Sequence, residues 1–186
     1  MKLLSILICS IYEREESLKR LIKKLNNTFE DVEICIYTDD GKQNSVGTKR
    51  NCLLNDANSK YICFVDDDDD VCDNYIGLLR EGCLSNADCI NLNGIITFNG
   101  KNPKVFIHSL KYNSYFEENN IYYRPPNHLN TIKKSLVEQF KFPDKNNGED
   151  TDWAMQICNS GVLKSEYDIN QTIYYYLYDT EKTTQK

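Results

Sequence analysis

Tyr61-Ile62-Cys63-Phe64-Val65-Asp66-Asp67-Asp68-Asp69-Asp70 runs five apolar residues directly into five aspartates. An apolar run of that length reads as a strand covered on both faces. Ligands of an open parallel sheet bind beyond the carboxyl ends of its strands. This strand would therefore deliver a block of carboxylate to the edge where chemistry is done. The plain alternative is a solvated acidic turn ahead of the next helix. Against it, carboxylates gathered on a sheet edge repel one another and are costly to desolvate unless a cation offsets them. Hard oxygen donors suit Mg²⁺ or Mn²⁺, which keep waters and bridge one or two carboxylates to phosphate oxygens. A calcium EF-hand loop is excluded: Asp66, Asp68 and Asp70 match its first three ligand positions, but Val71 stands where the turn glycine must be and Gly77 where the closing Glu must be.

Working outward, residues 3–9 form another continuous apolar run, and 32–37 alternate as a second strand. A helix is expected over 15–27, where Leu18, Leu21, Ile22 and Leu25 share one face. Further helices are expected over 48–57 and 74–84. The order β-α-β-α-β-α predicts parallel strands with right-handed crossovers. Past residue 88 the rhythm changes. Residues 95–98 and 105–107 flank Asn99-Gly100, a hairpin signature. Residues 111–126, rich in Tyr and Asn, give no assignable period. A helix over 149–159 is closed by Gly161, and 173–178 read as a Tyr-rich strand before a polar tail.

The 186 residues carry 28 acidic and 22 basic side chains, a net charge of −6. Such a balance argues against a sequence-independent nucleic-acid binder, which needs surplus Lys and Arg, though it leaves room for a local basic patch. Ten of the acids lie in three clusters: Asp39-Asp40, Asp66 to Asp70, and Glu149, Asp150 and Asp152. Without them 22 basic residues face 18 acidic ones, so the body is mildly basic. The eight cysteines follow no disulfide or zinc spacing, which reads as reduced thiols in an intracellular, cytoplasmic setting. The apolar N-terminus lacks a small-x-small cleavage site and runs into Glu13-Arg14-Glu15-Glu16, so it reads as a buried strand and not a signal peptide. No stretch approaches the roughly 18 apolar residues of a membrane span.

The first acidic cluster lies in Thr38-Asp39-Asp40-Gly41, at the end of the second strand. Gly47-Thr48-Lys49-Arg50-Asn51 follows, opening a helix, with Gly47 small enough for close approach of a ligand and two cations for phosphate. The third, Gly148-Glu149-Asp150-Thr151-Asp152, sits at a helix start, where the dipole favours acids in any case.

Together these motifs resemble glycosyltransferase family 2 on the GT-A fold. Its turn after the first strand, D-D-G, G-x-A-R-N, D-x-D and late E-D correspond to Ser10-Ile11-Tyr12-Glu13-Arg14, Asp39-Asp40-Gly41, Gly47-Thr48-Lys49-Arg50-Asn51, Phe64-Val65-Asp66-Asp67-Asp68-Asp69 and Glu149-Asp150. Glu13 and Lys49 depart from the family's Asn and Ala. The resemblance implies an α/β Rossmann-like GT-A fold, a mostly parallel central sheet flanked by helices with a small antiparallel extension. It implies one domain over 1–186: a nucleotide-binding half to residue 87, an acceptor-binding half over 88–178 and a polar tail over 179–186.

The function implied is metal-dependent, inverting transfer of a sugar from a nucleotide-sugar, UDP-linked by preference, to a hydroxyl of a glycan, protein or lipid. By the same resemblance Asp39 meets the nucleobase, and Ser10, Tyr12, Arg14, Lys49, Arg50, Asp66 and Asp67 line the nucleotide. Asp68, with Asp66, holds Mn²⁺ or Mg²⁺, and Asp150 is the general base. His128 and Glu149 are candidate acceptor or metal contacts. Trp153, one turn below Asp150, is core or an acceptor contact. Acceptor contacts would otherwise come from residues 122–130 and 174–178. A nucleotidyltransferase, or an inactive nucleotide-sugar-binding module, is the alternative.

Overall fold

The computed structural model describes residues 1–179; residues 180–186, most of the expected polar tail, lie outside them. The strands are β1 (Lys2–Ile11), β2 (Val32–Asp39), β3 (Ser59–Phe64), β4 (Asp70–Val71), β5 (Cys89–Ile90), β6 (Leu92–Phe98), β7 (Lys101–His108), β8 (Phe116–Glu118), β9 (Ile121–Arg124), β10 (Thr131–Lys133), β11 (Glu166–Tyr167) and β12 (Tyr174–Tyr178). The helices are α1 (Glu15–Leu25), α2 (Val46–Asp56), α3 (Tyr75–Leu84), α4 (Lys134–Val137) and α5 (Glu149–Ser160). One sheet has the order β11-β5-β10-β3-β1-β2, the other β4-β12-β6-β7-β9-β8.

The first sheet shows why its strands read as unbroken apolar runs. Leu4, Ile6 and Ile8 of β1, with Tyr61 and Cys63 of β3, pack beneath α1 and α3 against Leu21, Leu25, Leu79 and Cys83. Leu7, Ile62 and Phe64, the alternate residues, face α2 and α5 through Leu53, Leu54, Trp153 and Ile157. With both faces covered, the central residues of β1 and β3 are inside on either side. β2, β1 and β3 are mutually parallel, as expected. β10 enters antiparallel to both β3 and β5, so the sheet is partly antiparallel.

The extension expected from the Asn-Gly hairpin grows into a second six-stranded sheet. β6 and β7 pair antiparallel around Asn99 and Gly100, both at positive φ. Within residues 111–126, β8 and β9 form another hairpin, turning on Asn119 and Asn120, also at positive φ. Two adjacent Asn residues tolerate that left-handed region. Gly94 of β6 is obligatory by packing: a Cβ there would stand 2.1 Å from the ring of Phe106. β4, directly after the aspartate run, pairs with β12 and ties the sheets together.

Helix ends follow their capping chemistry. Ser45 accepts a hydrogen bond from the Thr48 amide at 3.1 Å, which starts α2 at Val46. α1 carries Glu15 and Glu16 first and Lys23 and Lys24 last, matching its dipole, and Asn26 in the left-handed region stops it two residues short of the expected end. Among the described residues no helix is long and apolar enough to cross a membrane, and all eight cysteines are free thiols.

Candidate active site

The carboxyl ends of β1 and β3, the start of α2 and the start of α5 meet around a cleft of about 820 Å³, lined among others by Ser10, Arg14, Lys49, Arg50, Asp66, Asp67, Asp68, Glu149 and Tyr176. A second cavity of about 430 Å³ adjoins it, lined by His108, Arg124, Asn127, His128 and Asp150 together with Asp66 and Tyr176, which face both.

The aspartate run divides its work residue by residue. Asp66 receives Arg50 at 3.0 Å and His128 Nε2 at 3.4 Å. Burial pushes its carboxyl up, but the charges of Arg50 and His128 overcome that and hold it well below the ordinary range. Asp67 is buried, accepting from Ser10 Oγ at 2.6 Å and from Arg14 at 2.8 Å. Asp68 meets Arg14 at 3.1 Å. Burial raises its carboxyl to about 6, Arg14 opposes, and Asp66 and Asp67 add to the rise. Asp69 turns away from the cleft and is fully buried, accepting from the Tyr174 hydroxyl at 2.7 Å and the Leu177 amide at 2.9 Å. Burial first, then the neighbouring Asp66 and Asp68, raises it well above the carboxylate range. The same Tyr174 hydroxyl accepts from the Asp66 amide at 3.2 Å, so β12 holds the loop that presents the carboxylates.

Arg50 is buried beneath the cleft between Phe64 and Phe142, whose ring centroids lie 5.5 and 5.7 Å from its guanidinium carbon. Besides Asp66 it meets the buried Glu149 at 3.6 Å. Its Nε and Nη1 have no hydrogen-bond partner, leaving donors for a ligand. Glu149, raised by burial against the pull of Arg50, therefore sits behind Arg50. Asp150, the next residue, opens onto the second cavity. Its Oδ2 lies 3.6 Å from His128 Nδ1, so His128 stands between Asp66 and Asp150.

Lys49 lines the cleft, but it, Gly47 and Trp153 are each engaged by other groups of the chain. Lys49, expected at the diphosphate, is buried and makes a short ion pair with Asp39, with its ammonium also 3.4 Å from the Ser10 carbonyl. Asp39 Oδ1 takes that contact and the Gly41 amide, while its Oδ2 has no partner. Gly47 admits protein, not ligand: a Cβ there would stand 1.9 Å from the Pro143 carbonyl oxygen, and its amide donates to Lys145 O at 3.2 Å. Trp153 is wholly buried, stacked on Phe142 at 4.6 Å and donating to the Phe140 carbonyl, so it belongs to the core. Tyr12 is 65% exposed on the short 3₁₀ turn after β1.

The sequence reading names 174–178 as acceptor contacts; Tyr176 and Leu177 of that strand also wall this cleft, whereas the loop residues Asn146 and Asn147 that line it are not foreseen. Nothing local marks the two asparagines; the pairing of β12 with β4 brings in the strand, and the seating of residues 143–147 on α2 brings in the loop.

The fold is similar to that of S. aureus TarS. Structures of TarS 1–349 align over 95% of this chain with a TM-score of 0.67 and 15% identity. The forms in complex with UDP and with UDP-GlcNAc align with TM-scores of 0.66 and 0.67, at 16% and 15% identity. The chain spans about three fifths of the length of TarS 1–349: 60% of the first two structures and 58% of the third. No protein-family model and no curated protein matches the sequence. What the likeness shows is the fold, a Rossmann-like α/β architecture whose sheet in this chain is partly antiparallel.

Proposed function

We propose that this chain is a nucleotide-sugar glycosyltransferase that transfers to an acceptor hydroxyl with inversion. The observation that carries this reading is the pair of adjoining cavities sharing Asp66 and Tyr176, one cationic at its base and one containing Asp150. That arrangement suits a donor on one side of Asp66 and an acceptor on the other. The UDP and UDP-GlcNAc complexes of TarS make a UDP-sugar the first donor to try.

In this reading the nucleobase lies toward Asp39, whose unpartnered Oδ2 is ready to accept an N–H. Lys49 positions that carboxylate and does not reach the phosphates. The diphosphate lies over Arg50, whose free Nε and Nη1 supply donors, with Arg14 at its far side. Asp150 takes the proton of the acceptor hydroxyl as that oxygen attacks the anomeric carbon and the nucleoside diphosphate leaves. Attack from the face opposite the leaving group inverts the centre.

Asp66 and Asp68 are the residues that would hold Mn²⁺ or Mg²⁺. Among the described residues no group of three or more His, Cys, Asp or Glu is arranged for a metal. Two carboxylates nevertheless fit an ion that completes its shell with water and phosphate oxygens. Such an ion, when bound, offsets charge developing on the leaving diphosphate.

The test is hydrolysis and transfer across a UDP-sugar panel, with Mn²⁺ and with chelator. Asp150→Asn should bind UDP as the parent does and turn over at least ~10²-fold more slowly. Undiminished turnover in that variant removes Asp150 from the role of base, and no nucleotide-dependent turnover with any donor removes the whole reading.

A further inference from the structure

The second cavity holds two polar groups that proton removal at Asp150 does not use. His108 and Arg124 are register partners on the parallel strands β7 and β9, so their side chains leave the same face of the second sheet, and both line the cavity. His108 is fully buried.

The surrounding network fixes its tautomer. Asn130 Nδ2 donates to the Ile90 carbonyl at 3.0 Å, which sets the amide's orientation. Asn130 Oδ1 is therefore the acceptor, and it takes the Asn127 amide at 3.0 Å. His108 Nδ1, 3.2 Å from that oxygen, must carry the proton. Burial, reinforced by the charge of Arg124, pushes the imidazole down to about 3, so the ring is neutral. Its Nε2 then bears a bare lone pair, buried and without a partner. A buried acceptor left unmet is costly, and a ligand hydroxyl would satisfy it.

Arg124 is the second group. Its guanidinium lies over Tyr115 and Tyr122, at 5.5 and 5.7 Å from their centroids. Among the described residues no carboxylate pairs with it. The cavity's two acids are engaged elsewhere: Asp66 by Arg50 and His128, Asp150 facing His128. A planar cation flattened on aromatic faces, with its donors unmatched, suits an oxyanion.

We infer that this cavity selects an acceptor that is both hydroxylated and anionic, with Arg124 binding its carboxylate or phosphate and His108 Nε2 accepting one of its hydroxyls. The inference rests on the glycosyl-transfer reading for the word acceptor, but the charge selection it asserts is a binding property measurable without a donor.

The probes are two matched pairs: methyl β-glucuronide against methyl β-glucoside, and glycerol 1-phosphate against glycerol. Binding to the full chain is measured by calorimetry, with and without UDP and Mn²⁺. At least one charged probe should bind tenfold or more tighter than its neutral partner, and which one does so separates a carboxylate from a phosphate ligand. Arg124→Gln should abolish that preference and leave the neutral partner's affinity unchanged, while Arg124→Lys restores part of it. His108→Phe should weaken both members of the preferred pair. Equal binding of charged and neutral probes, or equal loss of both in Arg124→Gln, overturns the inference. UDP binding in the same samples is read separately: charge selection without UDP binding leaves the anionic site standing and removes glycosyl transfer, whereas UDP binding without charge selection does the reverse.

Discussion

Asp68→Asn should make the protein more stable and less able to bind nucleotide with metal. Asp68 is a quarter exposed and pairs with Arg14 at 3.1 Å, yet its carboxyl is raised from 3.8 to about 6. An acid whose folded value is raised contributes stability that is complete below about 3.8 and is lost as pH climbs to about 6. At about 1.4 kcal/mol per pH unit, the loss at neutral pH has a ceiling of ~3 kcal/mol. The pull of Arg14 is already contained in that net rise, and Arg14 keeps Asp67 at 2.8 Å when the charge on residue 68 is removed. The variant should therefore gain on the order of 2 kcal/mol at pH 7.5 and nothing at pH 4. Urea denaturation of parent and variant from pH 4 to 8 without divalent cations measures this, because the difference between them cancels the other titrating groups. Mn²⁺ should raise the parent's midpoint in the presence of UDP and leave the variant's unmoved. A variant less stable than its parent at pH 7.5, or a difference that does not change with pH, refutes the reasoning.

Other perturbations should act through packing. Trp153→Ala removes a fully buried indole stacked on Phe142 and should cost ~3–5 kcal/mol in the same denaturation assay; a loss under ~1 kcal/mol would contradict its place in the core. Asp39→Ala strands the buried Lys49 ammonium, so a loss of ~3 kcal/mol or more is expected, with Asp39→Ala/Lys49→Met recovering most of it. Gly47→Ala drives a methyl into the Pro143 carbonyl; the displaced loop should weaken UDP binding through Asn146 and Asn147 at unchanged α2 helicity. An intact affinity would show that those asparagines do not touch the donor.

The first half of the fold was legible because helix and strand periods alternate there over lengths that show a pattern. Strands such as β4, β5 and β11, two residues each, carry no period at all; their pairing partners lie far off in the chain, and only the assembled sheets make them strands. The site divides the same way. Arg14, Arg50, Asp66 to Asp68 and Glu149-Asp150 announce themselves by residue type at strand ends and helix starts, and the structure gathers them around two adjoining cavities. The partners of Lys49 and Gly47 were not legible, because the groups that claim them are an acid ten residues back and a carbonyl 96 residues ahead. A motif states which residues are near in sequence; it does not state which neighbour reaches them first. His128 and His108, separated by many residues from Asp66 and Arg124, acquire meaning only through strand register.

Five identical residues look interchangeable, and a count of composition treats them so. The backbone assigns each a separate address: Asp66 open to both cavities, Asp67 braced by Ser10 and Arg14, Asp68 facing Arg14, Asp69 folded inward onto Tyr174, and Asp70 entering β4. What the run must preserve is therefore its length. Loss or gain of a single Asp hardly alters the protein's composition, but it shifts every later address by one and flips the alternation of side chains beyond.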